Sequence, residues 1–140
     1  FKIGYYDYEY NNQDDDFMPL AKRIIENYDT IIFATPIYWY AMSAIMKTFF
    51  DRLSDLIRIE KGIGRKLRGK SLAMVSCSGH DDRAPGFPEP FKLTADYLGM
   101  NYLGDIHTWV EDEVGITKQS IERMDGFLRK VNYSTQRKSQ

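Results

Sequence analysis

Two short stretches carry residue types that can hold a ligand. The first is Thr35, Pro36, Ile37, Tyr38, Trp39 and Tyr40, which joins a proline-restricted backbone to consecutive aromatic rings and runs on into Ala41, Met42 and Ser43. Flat side chains and Ile37 offer apolar faces to a planar, electron-poor ring, while loop amides offer donors to its polar edge. Donors placed there stabilise the negative charge that develops when such a ring is reduced. The same rings would serve equally as a plug over a hydrophobic core or as a contact between subunits. The second stretch is Ser76, Cys77, Ser78 and Gly79. Gly79 admits close backbone approach, and Ser78 is either a hydrogen-bond donor or an ordinary turn former.

Other chemistry is not expected. His80, Asp81 and Asp82 are adjacent rather than spaced as ligands, and no other histidine stands near them, so no metal site is expected. His80 reads either as a solvated loop residue or as a polar contact. Cys77, the sole cysteine, has no assignable base and reads as a small core residue; no catalytic side chain is assigned. One cysteine permits neither an internal disulfide nor a Cys-x-x-Cys site, which fits a reducing, cytoplasmic compartment. A formal charge of −1 supplies no basic field to draw the chain onto nucleic acid or an anionic membrane. No run approaches the roughly 18 apolar residues of a spanning helix.

The elements that must position these stretches follow from periodicity. Residues 1–13 are aromatic and polar and read as a loop whose first few residues could close a strand. Phe17, Leu20, Ala21, Ile24, Ile25 and Tyr28 make one helical stripe, with Asp14, Asp15 and Asp16 ahead of it for capping and solvation and Pro19 in its first turn. Residues 30–35 are an unalternating apolar run, stopped by Pro36, that suits a parallel strand covered on both faces. Met46, Phe49, Phe50, Leu53, Leu56 and Ile57 form a second helical stripe over residues 43–59, with Ser43 as N-cap. A basic glycine-containing turn region, a strand at 71–76, a loop at 80–90, a helix at 91–98 closed by Gly99 and a strand at 101–109 follow. A last helix is capped by Thr117, with Ile116 and Ile121 as a hydrophobic staple and Ile121, Met124, Phe127, Leu128 and Val131 on its face. Residues 132–140 read as a polar, frayed tail. Helices alternating with strands predict one α/β domain over 1–140, with a doubly wound parallel sheet between helical layers. Ligands bind such sheets outside the carboxyl ends of the strands, where both stretches fall.

The run TIIFATPIYWYAMSAIMKTFFDRLSDL resembles the flavin-contacting loop and following helix of NAD(P)H-dependent FMN reductases, through Pro-x-Tyr-Trp, Met-Ser-Ala and Met-Lys-x-Phe-x-Asp-Arg. The stretches LRGKSLAMVSCSG and ADYLGMNYLGDIHT are similar to the same flavodoxin-like family. The resemblance implies that Thr35 to Tyr40 line the isoalloxazine ring, largely through backbone groups, while Ser76, Cys77, Ser78 and Gly79 close its other side. It further implies FMN as cofactor, NAD(P)H as reductant, a quinone, flavin, azo or nitro compound as small-molecule acceptor, and a homodimer with residues 43–59 as a candidate interface. Asp51 and Arg52 match the family's Asp-Arg pair and read as structural or interfacial.

Two departures qualify that reading. The iron–sulfur branch of the family carries clustered cysteines where this chain has GYYDYEYNN, so a cluster lacks ligands. No Ser/Thr-rich phosphate loop between a strand and a helix precedes Phe17, so the domain is expected to be N-terminally incomplete, with residues 31–35 as an exposed apolar edge. Loss of about three charge-assisted bonds at ~1.5–3 kcal/mol would weaken FMN roughly a thousandfold. The alternative is a non-enzymatic electron carrier of the same fold, or a cofactor-free module that binds a partner. A phosphoacceptor receiver is set aside because Thr35 and Pro36 stand where its aspartate would be.

Overall fold

Phe17, Ala21 and Ile25 recur one helical turn apart and are the buried face of α1 (Phe17–Asn27). In this computed structural model, which describes residues 1–111 and 115–136, the chain continues through β1 (Thr30–Tyr38), β2 (Ala41–Met42) and α2 (Ala44–Arg58). Then come α3 (Lys61–Arg65), β3 (Ser71–Ser78), α4 (Glu89–Leu98), β4 (Asn101–Glu111), β5 (Gly115–Ile116) and α5 (Lys118–Gln136).

The sheet order is β2-β1-β3-β4-β5. The parallel sheet expected from the alternation is its centre, β1-β3-β4, while the two-residue strands β2 and β5 pair antiparallel at its margins. Side-chain alternation along β3 divides the interior. Leu72 and Met74 join a core built with Phe17, Leu56, Phe91 and Met100. Ala73 and Val75 join a smaller one with Phe127 and Val131 of α5. Edge-to-face phenylalanines knit the larger core, with ring centroids 4.9 Å apart for Phe33 and Phe50 and 5.1 Å for Phe50 and Phe91. Along β1, Ile31 and Phe33 enter that core, but Ile32 and Ala34 on the other face are exposed. Full coverage of this strand was expected, and α5 covers only its neighbours.

Several expectations change in detail. Pro36 does not stop the strand: β1 runs on to Tyr38, and Pro36 stays in register with Cys77. An edge strand tolerates proline because the missing N–H faces away from the ladder, and β2 pairs only with Ile37 and Tyr38. The expected turn around residues 62–69 contains a helical turn, α3, held close to α2. A Cβ on Gly64 would lie 2.3 Å from the Leu56 carbonyl oxygen, so only glycine fits that approach. Gly99 closes α4 in the left-handed region at φ 69°, as its position suggested. Thr117 is buried just ahead of α5, its Oγ1 accepting from the Ser120 N–H, and the helix buries Ser120, Phe127 and Val131, whereas Ile121 and Leu128 of the expected stripe stay partly exposed, as does Ile116 of the expected staple. The rotation follows from Ser120, whose Oγ accepts from the Trp109 N–H and donates to the Trp109 carbonyl, both at 3.1 Å. Residues 132–136 of the expected tail are helical; 137–140 lie outside the described residues.

Residues 1–16 form no helix or strand, but they are not loose. Arg52, 1% exposed on the inner face of α2, binds the Asp15 carboxylate and donates to the Gly4 carbonyl at 3.1 Å and the Asn12 carbonyl at 3.3 Å. Its Nε donates to Asp55 at 2.5 Å, and its guanidinium lies 4.8 Å from the Phe17 ring centroid. Asp15 therefore does more than cap: its Oδ1 accepts from the Phe17 N–H at 2.9 Å while Oδ2 accepts from the Gly4 N–H at 2.8 Å. Asp51, one position earlier, points outward to Lys47.

Candidate functional site

β1 and β2 are joined by only Trp39 and Tyr40, because Tyr38 pairs with Ala41 and Ile37 with Met42. Two-residue hairpins take the turn whose central residues both have positive φ, since its twist matches that of the strands. Asparagine and glycine ordinarily fill it. Here Trp39 has φ 49° and Tyr40 φ 64°, a conformation costing roughly 1–2 kcal/mol per residue with a Cβ. Thr35, 3% exposed, anchors the base of the hairpin: its Oγ1 accepts from the Ser43 N–H at 3.1 Å. Ser43 in turn caps α2 by accepting from the Met46 N–H. Pro36 and Ile37 are half-buried, whereas Tyr38, Trp39 and Tyr40 are 62%, 94% and 78% exposed. The rings do not plug the core.

The second stretch lies directly alongside. Thr35 is in register with Ser76 and Pro36 with Cys77, so both loops leave the same end of adjacent strands. Ser76 is fully buried, Ser78 is half-buried and Gly79 is exposed; Cys77, expected to be a small core residue, is exposed too, because alternation along β3 turns it away from the side of buried Ser76. Ser78 folds back on its own loop: its Oγ donates to the His80 carbonyl at 2.7 Å and accepts from the His80 N–H at 3.2 Å. All ten positions picked out in the sequence are thus brought to one end of the sheet.

A group of residues that the sequence reading did not single out supports this loop. His107 of β4, 7% exposed, lies opposite Ser76, with Nδ1 3.1 Å from Ser76 Oγ. Its Nε2 is 2.8 Å from the His80 carbonyl and 3.3 Å from Ser78 Oγ. Arg83 donates to Ser76 Oγ at 3.3 Å and pairs with Asp105. Tyr102 donates to Asp105 at 2.9 Å; burial, that hydrogen bond and the adjacent carboxylate all push its phenol well above the usual range. On the other flank Arg123 of α5 pairs with Asp81 at 2.8 Å and lies over the Trp109 ring. A signal for part of this group was present: Asp105 and His107 are two apart in a strand, hence on one face. Among the described residues no group of three or more His, Cys, Asp or Glu is placed to hold a metal ion.

The arrangement therefore sets exposed aromatic side chains and a braced polar loop at the same end of adjacent strands.

A family model described as NADPH-dependent FMN reductase matches residues 2–115. The chain is similar to YwqN of Bacillus subtilis, whose name describes an NAD(P)H-dependent FMN-containing oxidoreductase. The two are 30% identical over 94 residues, 64% of this chain and 51% of that protein. The chain thus spans about half the length of this relative. Among solved structures it resembles the Trp repressor binding protein from Bacillus subtilis, with TM-score 0.63 and 23% identity over 82% of this chain and 73% of that one. It also resembles the flavodoxin, WrbA-like protein from Agrobacterium tumefaciens, with TM-score 0.54 and 22% identity over 80% and 69% of the two chains. These structures show the fold, which is flavodoxin-like.

Proposed function

This chain belongs to the NADPH-dependent FMN reductase family, and from that premise we propose that the strand ends at residues 35–40 and 76–79 hold the isoalloxazine ring of FMN in an NAD(P)H-dependent oxidoreductase. The observation that carries the reading is the strained hairpin, which sets three aromatic rings outside the core beside the Ser76 loop. Strain of this kind persists where the surrounding structure enforces it, and it marks sites used for something other than stability.

Residues 36–40 would face one side of the ring and residues 76–79 the other, with backbone amides directed at its polar edge. When bound, FMN supplies the hydride and electron chemistry between NAD(P)H and a small acceptor, a quinone, flavin, azo or nitro compound. The chain's part is to bind, orient and shield. No side-chain acid or base is needed, which fits the absence of an assigned catalytic residue. Cytoplasmic operation as a homodimer completes the proposal. Its contact would be α2, where Ile45 is 85% exposed and Ile57 opens onto a groove of about 390 Å³ shared with Leu93 and Tyr97 of α4.

Titrating FMN into the purified chain while following quenching of flavin fluorescence, then adding NADH or NADPH and following its oxidation, tests the reading. Quenching that saturates only well above low micromolar flavin is expected, in keeping with the roughly thousandfold weakening anticipated from the sequence, together with NAD(P)H oxidation. Free flavin that stays unquenched, with no NAD(P)H consumed, sinks it for this chain. Sedimentation velocity on the wild type and on Ile45→Glu tests the dimer; a monomeric wild type removes that part.

A further inference from the structure

The contacts of His107 have a polarity that can be worked out. A carbonyl oxygen only accepts, so the 2.8 Å contact with His80 places a hydrogen on Nε2. In the neutral ring Nδ1 is then an acceptor, and Ser76 Oγ, 3.1 Å away, donates to it. The competing acceptor for that hydroxyl, the Ile106 carbonyl, is farther at 3.4 Å. Ser76 Oγ meanwhile accepts from Arg83 Nη1. The donors therefore run in one direction, from Arg83 through Ser76 and His107 to the carbonyl of His80.

The two ends of this chain of donors join the loop to the strand frame. Ser76 and His107 are in register on β3 and β4, both buried, while His80 and Arg83 belong to the loop after β3. Ser78, the last residue of β3, donates to the His80 carbonyl, accepts from the His80 N–H and lies 3.3 Å from the same Nε2. Removing the imidazole would take away the β4 contact on the His80 carbonyl, leaving Ser78, Arg83 and the Arg123–Asp81 pair as other ties on the loop.

We propose that His107, as the Nε2–H tautomer, is a positioning residue: it holds the His80 carbonyl, and so fixes the start of the loop that leaves β3 after Ser78 beside the Trp39 hairpin. The tautomer and the order of the loop stand on the geometry alone. The consequence for ligand affinity rests on the flavin reading above.

The test separates the two. Long-range nitrogen–proton correlation spectra of the wild-type chain identify the tautomer, and amide exchange at His80 reports loop order; neither needs flavin. Three variants follow: His107→Gln, whose amide nitrogen reaches the Nε2 position; His107→Asn, which reaches only Nδ1; and His107→Phe, which reaches neither. The Nε2–H tautomer is expected. His80 exchange should quicken by about tenfold in the Asn and Phe variants, and by no more than about threefold in Gln, with the β3–β4 ladder unchanged. FMN affinity should fall about tenfold in Asn and Phe and recover in Gln. An Nδ1–H tautomer overturns the proposal whether or not any variant folds. So does a folded Phe variant with wild-type exchange at His80, or a Gln variant as fast as Phe. If the tautomer and exchange behave as expected but no variant alters flavin binding, the positioning of the loop stands and its part in holding flavin falls.

Discussion

Helix α2 and the hairpin ahead of it invert the usual placement of side chains in opposite senses. In the middle of the helix a guanidinium is inside: Arg52 is 1% exposed, ringed by two carboxylates, two backbone carbonyls and Phe17. In the hairpin, aromatic rings are outside, with Trp39 at 94% exposure. The buried charge finds all its partners within the chain, the condition under which such burial is tolerated. The exposed rings sit on a strained turn that folding alone does not explain. One inversion serves the fold; the other faces outward, where the proposed flavin would settle.

The contrast breaks if the two regions respond alike to substitution. The largest effect is expected at Arg52. Replacing it with Ala strands Asp15 and Asp55 and should destabilise the chain by about 3–5 kcal/mol, read from urea unfolding. Arg52→Lys should not restore stability, because an ammonium lacks the fork that reaches both carboxylates and both carbonyls.

Acid gives a milder form of the same effect. Burial pushes the Asp15 carboxyl up, but hydrogen bonds from Arg52, Gly4 and Phe17 outweigh it and hold the group below its ordinary value. A carboxyl whose folded pKa is depressed contributes stability above the unfolded value, roughly 3.9, and loses it as pH falls through the folded value. Unfolding midpoints should therefore decline below about pH 4. Asp15→Asn, less stable at neutral pH, should flatten that decline; an unchanged slope would count against the assignment.

The hairpin should behave in reverse. Trp39→Asn combined with Tyr40→Gly supplies the residues the turn prefers and should stabilise the chain by about 1–2 kcal/mol while weakening FMN binding. Smallest of all, Trp39→Ala should change stability by less than about 0.5 kcal/mol, yet loosen FMN by roughly two- to tenfold if the ring stacks on it. A stability loss as large as that at Arg52 would erase the distinction between the regions.

Periodicity was a sufficient guide to most of the frame. Phe17, Ala21 and Ile25 announced α1, Ser43 its role as the cap of α2, and Gly99 the end of α4, because each is a local preference satisfied locally. Both candidate stretches were likewise visible as strand ends, and their adjacency followed from parallel pairing. What stayed hidden depends on contacts far apart in sequence. Arg52 reads only as structural or interfacial, without a partner to name, until Asp15 and Gly4 are brought to it across 37 and 48 positions. His107 reads as one residue of a strand until register sets it against Ser76, 31 positions earlier. The continuation of β1 through Pro36 also escaped notice, since proline ends a strand only where its N–H would have been used.

The chain has two tryptophans, and they stand at opposite extremes: Trp39 bare at the hairpin tip, Trp109 7% exposed beneath Arg123 and clipped to α5 by Ser120. Its intrinsic emission therefore divides into two channels with different addresses. The red-shifted component, open to acrylamide, reports whatever settles against the hairpin. The blue, shielded component reports whether α5 is still docked, so occupancy and integrity can be followed in one cuvette without a label.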